Sequence, residues 1–253
     1  MPRTKLIAAN WKMFPPPEGW DAMDSPYRAT DDVDVMIFAP FVYLKTCVAA
    51  GLRMGAQCGH HEPTGAHTGC VSMAMIASTG CETVLCGHSE RRRDQGETDE
   101  FVAAQAKAAL TLGLFPIVCI GETANERSAG KAHEVIERQL RTVIDHLDVS
   151  QLATRNSQLA IAYEPLWAIS GGDPTKPAAK PSDAQEMHAF IRSLLPEPIQ
   201  KEMLILYGGS MKAENASELL SQPDVDGGLV GGASLKPEEF RAIVEAARTL
   251  EQP

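Results

Sequence analysis

Five short polar clusters in this sequence could together carry out acid–base chemistry on a phosphorylated substrate. Glu164 is a candidate general base, His88 a candidate hydrogen-bond donor to a carbonyl oxygen, and Lys12 a source of positive charge. Two glycine-rich turns, Gly208-Gly209-Ser210 and Gly231-Gly232, can present unobstructed backbone N–H groups to a phosphate. Brought into one pocket, these groups would suit proton abstraction next to the carbonyl of a small phosphorylated sugar.

Each cluster taken alone also has a purely structural explanation. A lysine after a strand is commonly solvated, a histidine between Gly and Ser commonly makes structural hydrogen bonds, and a glutamate before proline can cap a turn. Glycine pairs can mark bulges or barrel corners. The functional interpretation therefore depends on whether the fold brings the five clusters together.

Eight short hydrophobic runs alternate with longer stretches of helical periodicity. Most of the runs are continuously apolar, as strands buried on both faces require. The predicted strands are Leu6–Ala9, Val35–Ala39, Arg53–Gln57, Thr83–Cys86, Phe115–Ile120, Leu159–Tyr163, Met203–Tyr207 and Gly228–Val230. The polar clusters follow the first, fourth, sixth, seventh and eighth of them, so a closed parallel barrel would collect them at its C-terminal face.

The repeated alternation predicts an α/β fold, a (βα)8 barrel of eight parallel strands surrounded by helices, in a single domain over residues 1–253. Its clearest helices are Thr98–Leu112, Lys131–Leu147, one starting at Ser182 with a capping box, and Pro237–Leu250. Prolines between Lys12 and Val33 predict a short or broken first helix. An open doubly wound sheet is the alternative, although the G-x-G-x-x-G fingerprint is missing after the first strand.

Composition excludes several classes of protein. The 253 residues include 23 Lys+Arg and 33 Asp+Glu, and the net charge of −10 disfavours binding to nucleic acid or to anionic membranes. There is no uninterrupted run of about 18 apolar residues, so we predict no membrane span. The first residues have no signal-peptide pattern, and the six cysteines form no C-x-x-C pair. We therefore expect a cytoplasmic protein in a reducing compartment.

Six motifs along the chain are shared with one enzyme family. They are Asn10-Trp11-Lys12-Met13, Gly87-His88-Ser89-Glu90-Arg91-Arg92, Cys119-Ile120-Gly121-Glu122-Thr123, Ala162-Tyr163-Glu164-Pro165-Leu166-Trp167-Ala168-Ile169, Tyr207-Gly208-Gly209-Ser210 and Leu229-Val230-Gly231-Gly232-Ala233-Ser234-Leu235-Lys236. With them the chain resembles the triosephosphate isomerases along nearly its whole length. The resemblance implies a TIM barrel that interconverts dihydroxyacetone phosphate and D-glyceraldehyde 3-phosphate through an enediol(ate), in glycolysis and gluconeogenesis. It implies no metal and no organic cofactor.

The resemblance also assigns roles to the polar residues. It implies that Glu164 removes and returns the proton, and that an uncharged His88 at a helix start donates to the carbonyl oxygens. By the same likeness Lys12 stabilises negative charge, Asn10 orients the carbonyl, and Glu90 pairs with Lys12.

A lid from Pro165 to about Thr175 is likewise implied, closing over the phosphate and docking against Tyr207–Ser210, with Tyr207 and Gly209 in support. The residues expected to bind the phosphate are Ser170, Ser210, Gly231 and Gly232. Ser170 stands where the family usually has glycine, and about four residues are added before Ser182. The enlarged lid leaves isomerisation of a phosphorylated tetrose as an alternative, and a non-catalytic binding protein is the alternative from another class.

The segment 58–70 occupies the place where the family sends a loop into its partner subunit. The resemblance implies a homodimer in which Thr68 reaches toward the partner's Lys12 and the partner's His88. Cys70 stands where the family commonly has an acid, so one ion pair with Arg91 is not expected here. The group Cys58, His60, His61, His67 and Cys70 could be considered as a zinc site, but it lacks a zinc-finger arrangement, and we predict no metal.

Overall fold

The predicted strands form a closed barrel in the computed structural model, which describes residues 3–147, 159–169 and 178–249. Each strand pairs in parallel with the next, and the first pairs with the last. The strands are β1 Lys5–Asn10, β2 Val33–Ala39, β3 Met54–Ala56, β4 Thr83–Cys86, β5 Phe115–Ile120, β6 Ala160–Tyr163, β7 Leu204–Tyr207 and β8 Gly227–Val230. The predicted fold class, a (βα)8 barrel, is confirmed, with β3 shorter than expected.

Helices surround this barrel. Those in the described ranges are α1 Leu44–Ala49, α2 Met73–Ala77, α3 Ser89–Gln95, α4 Asp99–Thr111, α5 Ala124–Ser128, α6 Ala132–Asp145, α7 Pro181–Leu194, α8 Glu197–Gln200, α9 Ala213–Leu220 and α10 Pro237–Thr249. The predictions behind α4, α6 and α10 are confirmed. Helix α7 begins at Pro181 rather than at a Ser182 cap, because the carboxylate of Asp183 accepts the N–H of Lys180 at 3.1 Å.

The connection between β1 and β2 contains turns and no helix, so the first helix is absent rather than short. Three successive prolines, Pro15 to Pro17, lack the N–H groups that a helix would need. Aromatic rings take the helix's place beside β1: Tyr27 lies 5.3 Å from Trp11 and 5.1 Å from Phe240, measured between ring centroids. Side chains from both ends of the chain therefore cover this strand.

Two layers of apolar side chains hold the barrel. Alternate residues of a strand point to opposite faces, so Leu6 and Ala8 pack inside the barrel while Ile7 and Ala9 pack against the outer elements. The inner layer also contains Met36, Phe38, Leu85, Ile117, Cys119, Ala160, Ala162, Leu206 and Leu229. Burial on both faces explains the continuously apolar strand sequences.

Within the described ranges, no helix has the length and apolar character needed to cross a membrane.

An ionic network joins α7 to the N-terminal side of β8. The guanidinium of Arg192 donates to the carboxylates of Asp224 and Asp226, each at 2.6 Å, and Arg3 donates to Asp226 at 2.5 Å. Beside this network His188 is fully buried, with its Nδ1 atom 3.2 Å from the carbonyl oxygen of Asp224. Both charge and burial thus fix α7 against the barrel.

Candidate active site

The C-terminal ends of the strands enclose a cavity of about 490 Å³, and the polar clusters singled out in the sequence meet there. The predicted site residues that line it are Asn10, Lys12, His88, Glu90, Glu164, Gly209, Ser210, Gly231 and Gly232. The convergence that the functional interpretation required is therefore present.

Glu164 follows β6 and is only 2% exposed. Its Oε2 atom accepts the backbone N–H of Ser89 at 2.8 Å, and its Oε1 atom accepts the Ser89 hydroxyl at 3.2 Å. The Nε2 atom of His88 lies 3.0 Å from Oε1. These contacts fix the carboxylate beside the imidazole. Ser89 belongs to one of the six shared motifs, but nothing in that motif indicates that its N–H and its hydroxyl both donate to Glu164.

His88 is the residue before α3, as expected of a histidine at a helix start. Its Nδ1 atom accepts the backbone N–H of Glu90 at 3.3 Å. Because Nδ1 accepts this bond, Nε2 is the ring nitrogen placed to donate. Asn10 Nδ2 lies 3.3 Å from Nε2. An imidazole nitrogen and a side-chain amide thus face the cavity together.

Lys12 has a φ of 48° and is, in the described part of the chain, the one non-glycine residue in the left-handed region. Its N–H donates to Asn10 Oδ1 at 3.0 Å, and its carbonyl accepts Gln57 Nε2 at 2.7 Å. These bonds hold a conformation that most side chains avoid. Gln57 ends the third predicted strand, and that position was the only sequence signal for its role.

The ammonium of Lys12 reaches Glu90, with 2.7 Å between Nζ and Oε1. The predicted pairing is confirmed. Burial opposes ionisation of Glu90, but the hydrogen bond and the charge of Lys12 outweigh burial, so the pKa of Glu90 is lowered from its usual value. A fixed cation therefore stands at the mouth of the cavity.

The two glycine-rich turns lie on the same cavity wall. A Cβ atom added at Gly232 would meet nothing within 4 Å, whereas one at Gly231 would lie 3.1 Å from Cε of Lys12. At Gly209 an added Cβ would lie 2.2 Å from the Tyr207 hydroxyl oxygen, so this position excludes side chains. Backbone amides can therefore approach an anion here, close to the lysine.

The base of the predicted lid is anchored by Glu122, which is fully buried at the end of β5. Its Oε1 atom accepts from the Trp167 indole at 2.8 Å, the Tyr163 hydroxyl at 3.0 Å and Arg127 at 3.3 Å. Arg127 also lies over the Trp167 ring, 4.3 Å from its centroid. Glu122 belongs to one of the six shared motifs but had no predicted role, although an acid two residues after a buried strand was a signal for one.

Docking of the lid base against the seventh-strand turn is visible in the described residues. The N–H of Ser210 donates to the carbonyl of Ala168 at 3.3 Å, and an added Cβ at Gly209 would lie 3.1 Å from Cγ of Pro165. Ser170 and the rest of the lid to Thr175 lie outside the described residues.

The segment 58–70 does not line the cavity of its own chain, and Thr68 is exposed. The ring of His61 stacks on His60 at a centroid distance of 4.7 Å, and the ring of His67 packs against His60 at 4.1 Å with a tilt of 31°. Among the described residues no group of three or more His, Cys, Asp or Glu side chains could hold a metal ion. Arg91 pairs instead with Glu97, at 2.9 Å.

Comparison with known proteins agrees with this geometry. A family model described as triosephosphate isomerase matches residues 5–247. A triosephosphate isomerase of Hydrogenovibrio crunogenus is 43% identical over 97% of this chain and 98% of its own length. One of Cupriavidus necator is 44% identical over 96% of this chain and 100% of its own, and one of Bacteroides fragilis is 43% identical over 96% and 99%. From the barrel, the site and these similarities together, the chain belongs to the triosephosphate isomerase family.

Proposed function

We propose that this member of the family interconverts dihydroxyacetone phosphate and D-glyceraldehyde 3-phosphate in glycolysis and gluconeogenesis, with Glu164 as base and His88 as the donor to the carbonyl oxygen. One observation carries the proposal: the buried carboxylate of Glu164 lies 3.0 Å from Nε2 of His88, in a cavity that also contains the Lys12 ammonium. A base, an N–H donor and a cation are the groups that enolisation needs.

In the proposed reaction Glu164 removes a proton from the carbon next to the carbonyl. The C–H electron pair forms the carbon–carbon double bond of the enediolate, while the carbonyl oxygen takes up negative charge. The His88 N–H and the Asn10 amide stabilise that oxygen, and Lys12 offsets the charge. His88 then gives its Nε2 proton to that oxygen and takes up the proton of the adjacent hydroxyl, whose O–H electron pair forms the new carbonyl bond. Glu164 returns its proton to the former carbonyl carbon, where the carbon–carbon double-bond pair forms the new C–H bond. Because a neutral imidazole is a weak acid, its acidity suits the enediol better than that of an imidazolium would.

The phosphate is assigned to Ser210 and to the backbone N–H groups of Gly231 and Gly232, with Ser170 of the lid as a further donor. Open space above Gly232 and the closeness of Gly231 to Lys12 support this assignment. Binding energy from the non-reacting phosphate would help to orient the carbonyl end of the substrate. Lid closure from the base at Pro165 would exclude water and strengthen these electrostatic contacts.

We also propose a cytoplasmic homodimer formed through the segment 58–70, with Thr68 reaching the partner. Large apolar side chains that a monomer would leave in water support the dimer: Met13 is 93% exposed, Phe14 52% and Met75 51%. All six cysteines are free, which suits a reducing compartment.

Light scattering on Thr68→Arg tests the dimer, since a buried charge should shift the mass toward the monomer. A wild-type mass of one chain would contradict it.

Substituting the base tests the activity. Glu164→Gln keeps the shape and removes the base, so kcat on glyceraldehyde 3-phosphate, measured with a coupled dehydrogenase, should fall at least about 100-fold. The control is Glu186→Gln on the exposed side of α7, which should keep the wild-type rate. An unchanged rate in Glu164→Gln would remove Glu164 from its role. A wild-type protein that binds 2-phosphoglycolate but turns over no substrate would indicate a binding protein, and a higher kcat/KM on a phosphorylated tetrose would change the substrate.

A further inference from the structure

A tyrosine from the β1–β2 connection makes direct contact with the turn assigned to the phosphate. Tyr27 is fully buried, and its hydroxyl donates to the carbonyl oxygen of Ser234 at 2.7 Å, across 207 residues of sequence. Ser234 lies in the short 3-10 turn Gly232–Leu235 that follows β8. The first connection of the barrel therefore reaches the last glycine-rich turn.

Ser234 in turn fixes the peptide unit that joins Gly231 to Gly232 and contains the Gly232 N–H. The backbone N–H and the hydroxyl of Ser234 both donate to the carbonyl of Gly231, at 2.8 and 2.7 Å. The hydroxyl also lies 3.4 Å from the carbonyl oxygen of Asn10. A trans peptide is planar, with its C=O and N–H groups antiparallel. Holding the Gly231 carbonyl toward Ser234 therefore directs the Gly232 N–H the opposite way, away from Ser234.

The tyrosine itself is held rigidly. Its ring stacks on Phe240 with 17° between the planes and meets Trp11 edge-on at 89°. Burial raises the pKa of Tyr27, so the hydroxyl stays protonated and remains a donor throughout the neutral range. Because the ring is clamped on two sides, the hydroxyl position is set before any substrate arrives.

We propose that Tyr27 is a positioning residue for phosphate binding, acting through Ser234 on the direction of the Gly232 N–H. This inference rests on the proposed phosphate site. The proposal distinguishes phosphate binding from proton transfer. Tyr27 contacts the turn proposed to hold the non-reacting end of the substrate, and it touches neither Glu164 nor His88. Its loss should therefore weaken binding of the phosphate and leave proton transfer largely in place.

The test is Tyr27→Phe, which keeps the stacked ring and removes only the donor. The expected result is a rise of about fivefold both in KM for glyceraldehyde 3-phosphate and in the inhibition constant of inorganic phosphate, with kcat within about twofold of wild type. On unphosphorylated D-glyceraldehyde, kcat/KM should equal that of wild type. These readouts distinguish phosphate positioning from a general loosening of the fold.

Thr83→Val is the matched control. Thr83 also has a buried hydroxyl that donates to a backbone carbonyl, that of Phe115 at 2.5 Å, but it lies at the start of β4, away from the turns. It should lower the melting temperature by an amount similar to Tyr27→Phe without raising KM or the phosphate inhibition constant. Equal rises in both variants would overturn the proposal.

Two further outcomes would also overturn it. An unchanged phosphate inhibition constant in Tyr27→Phe would remove Tyr27 from phosphate binding while leaving the proposed function intact. A wild-type enzyme that turns over the triose but is not inhibited by inorganic phosphate would remove the phosphate site itself, and the role of Tyr27 with it.

Discussion

Acid should destabilise this barrel through His188, the buried histidine of α7. Burial lowers its pKa from 6.5 to about 4, although the nearby Asp224 carbonyl acts in the opposite direction. Its ring packs between Tyr163 and Tyr207, at centroid distances of 5.8 and 6.3 Å. A charge on this ring would therefore sit among aromatic side chains at the ends of β6 and β7.

The sign follows from proton binding in the two states. Below pH 6.5 the unfolded chain takes up a proton on this histidine, whereas the folded chain does so only near pH 4, so the free energy of unfolding falls as the pH drops through this window. One pKa unit corresponds to about 1.4 kcal/mol. Between pH 7 and pH 5 the loss from this one residue should be about 2 kcal/mol.

Urea unfolding followed by circular dichroism, at one protein concentration and at pH 7, 6 and 5, measures this loss. His188→Asn keeps an amide donor for the Asp224 carbonyl and removes the titrating ring. The variant should be less stable at pH 7 because of the smaller side chain, and its deficit relative to wild type should shrink by about 2 kcal/mol at pH 5. The control, His146→Asn at the exposed end of α6, should leave the wild-type pH dependence in place. Equal losses of stability in wild type and His188→Asn would refute the reasoning.

Three substitutions test other parts of the site. Lys12→Met removes the cation at the cavity mouth, and kcat/KM on glyceraldehyde 3-phosphate should fall about 100-fold or more in the coupled assay. Trp167→Phe deprives the buried Glu122 carboxylate of a donor at 2.8 Å, so urea titration should show a loss of about 1.5–3 kcal/mol in the free energy of unfolding. Gly209→Ala places a methyl group 2.2 Å from the Tyr207 hydroxyl oxygen, and the strain should lower the free energy of unfolding by about 1–3 kcal/mol and reduce kcat/KM.

The strands were predictable because burial on both faces requires a continuously apolar run in the local sequence. Ile7 and Ala9 pack outward while Leu6 and Ala8 pack inward, so all four positions between the polar ends of β1 are apolar. The polar clusters stood out against these runs because they directly follow the apolar strands. His88, Glu164 and the glycine turns could thus be found without knowledge of any distance.

Contacts between segments that are distant in the chain produce no such local sequence pattern. Glu122 lies in a recognised motif, yet its three donors come from the β6 end, the lid base and α5, and no spacing indicates that they meet. The bond from Tyr27 to Ser234 spans nearly the whole chain, and the segment around Tyr27 has neither strand nor helix periodicity. Prolines predicted a weakened first helix, but periodicity could not indicate that aromatic rings replace it altogether.

The placement of β1 between β2 and β8 has a consequence for biosynthesis. During synthesis β1 can pair with β2 soon after both strands have been translated. Its second partner, β8, and the Phe240 ring of α10 become available only after residues 227–240 have been translated. Closure of the barrel and formation of the turn that follows β8 are therefore one late event. A nascent polypeptide stalled before α10 would already contain Glu164 and His88, but the cavity around them would lack the support of the Phe240 ring.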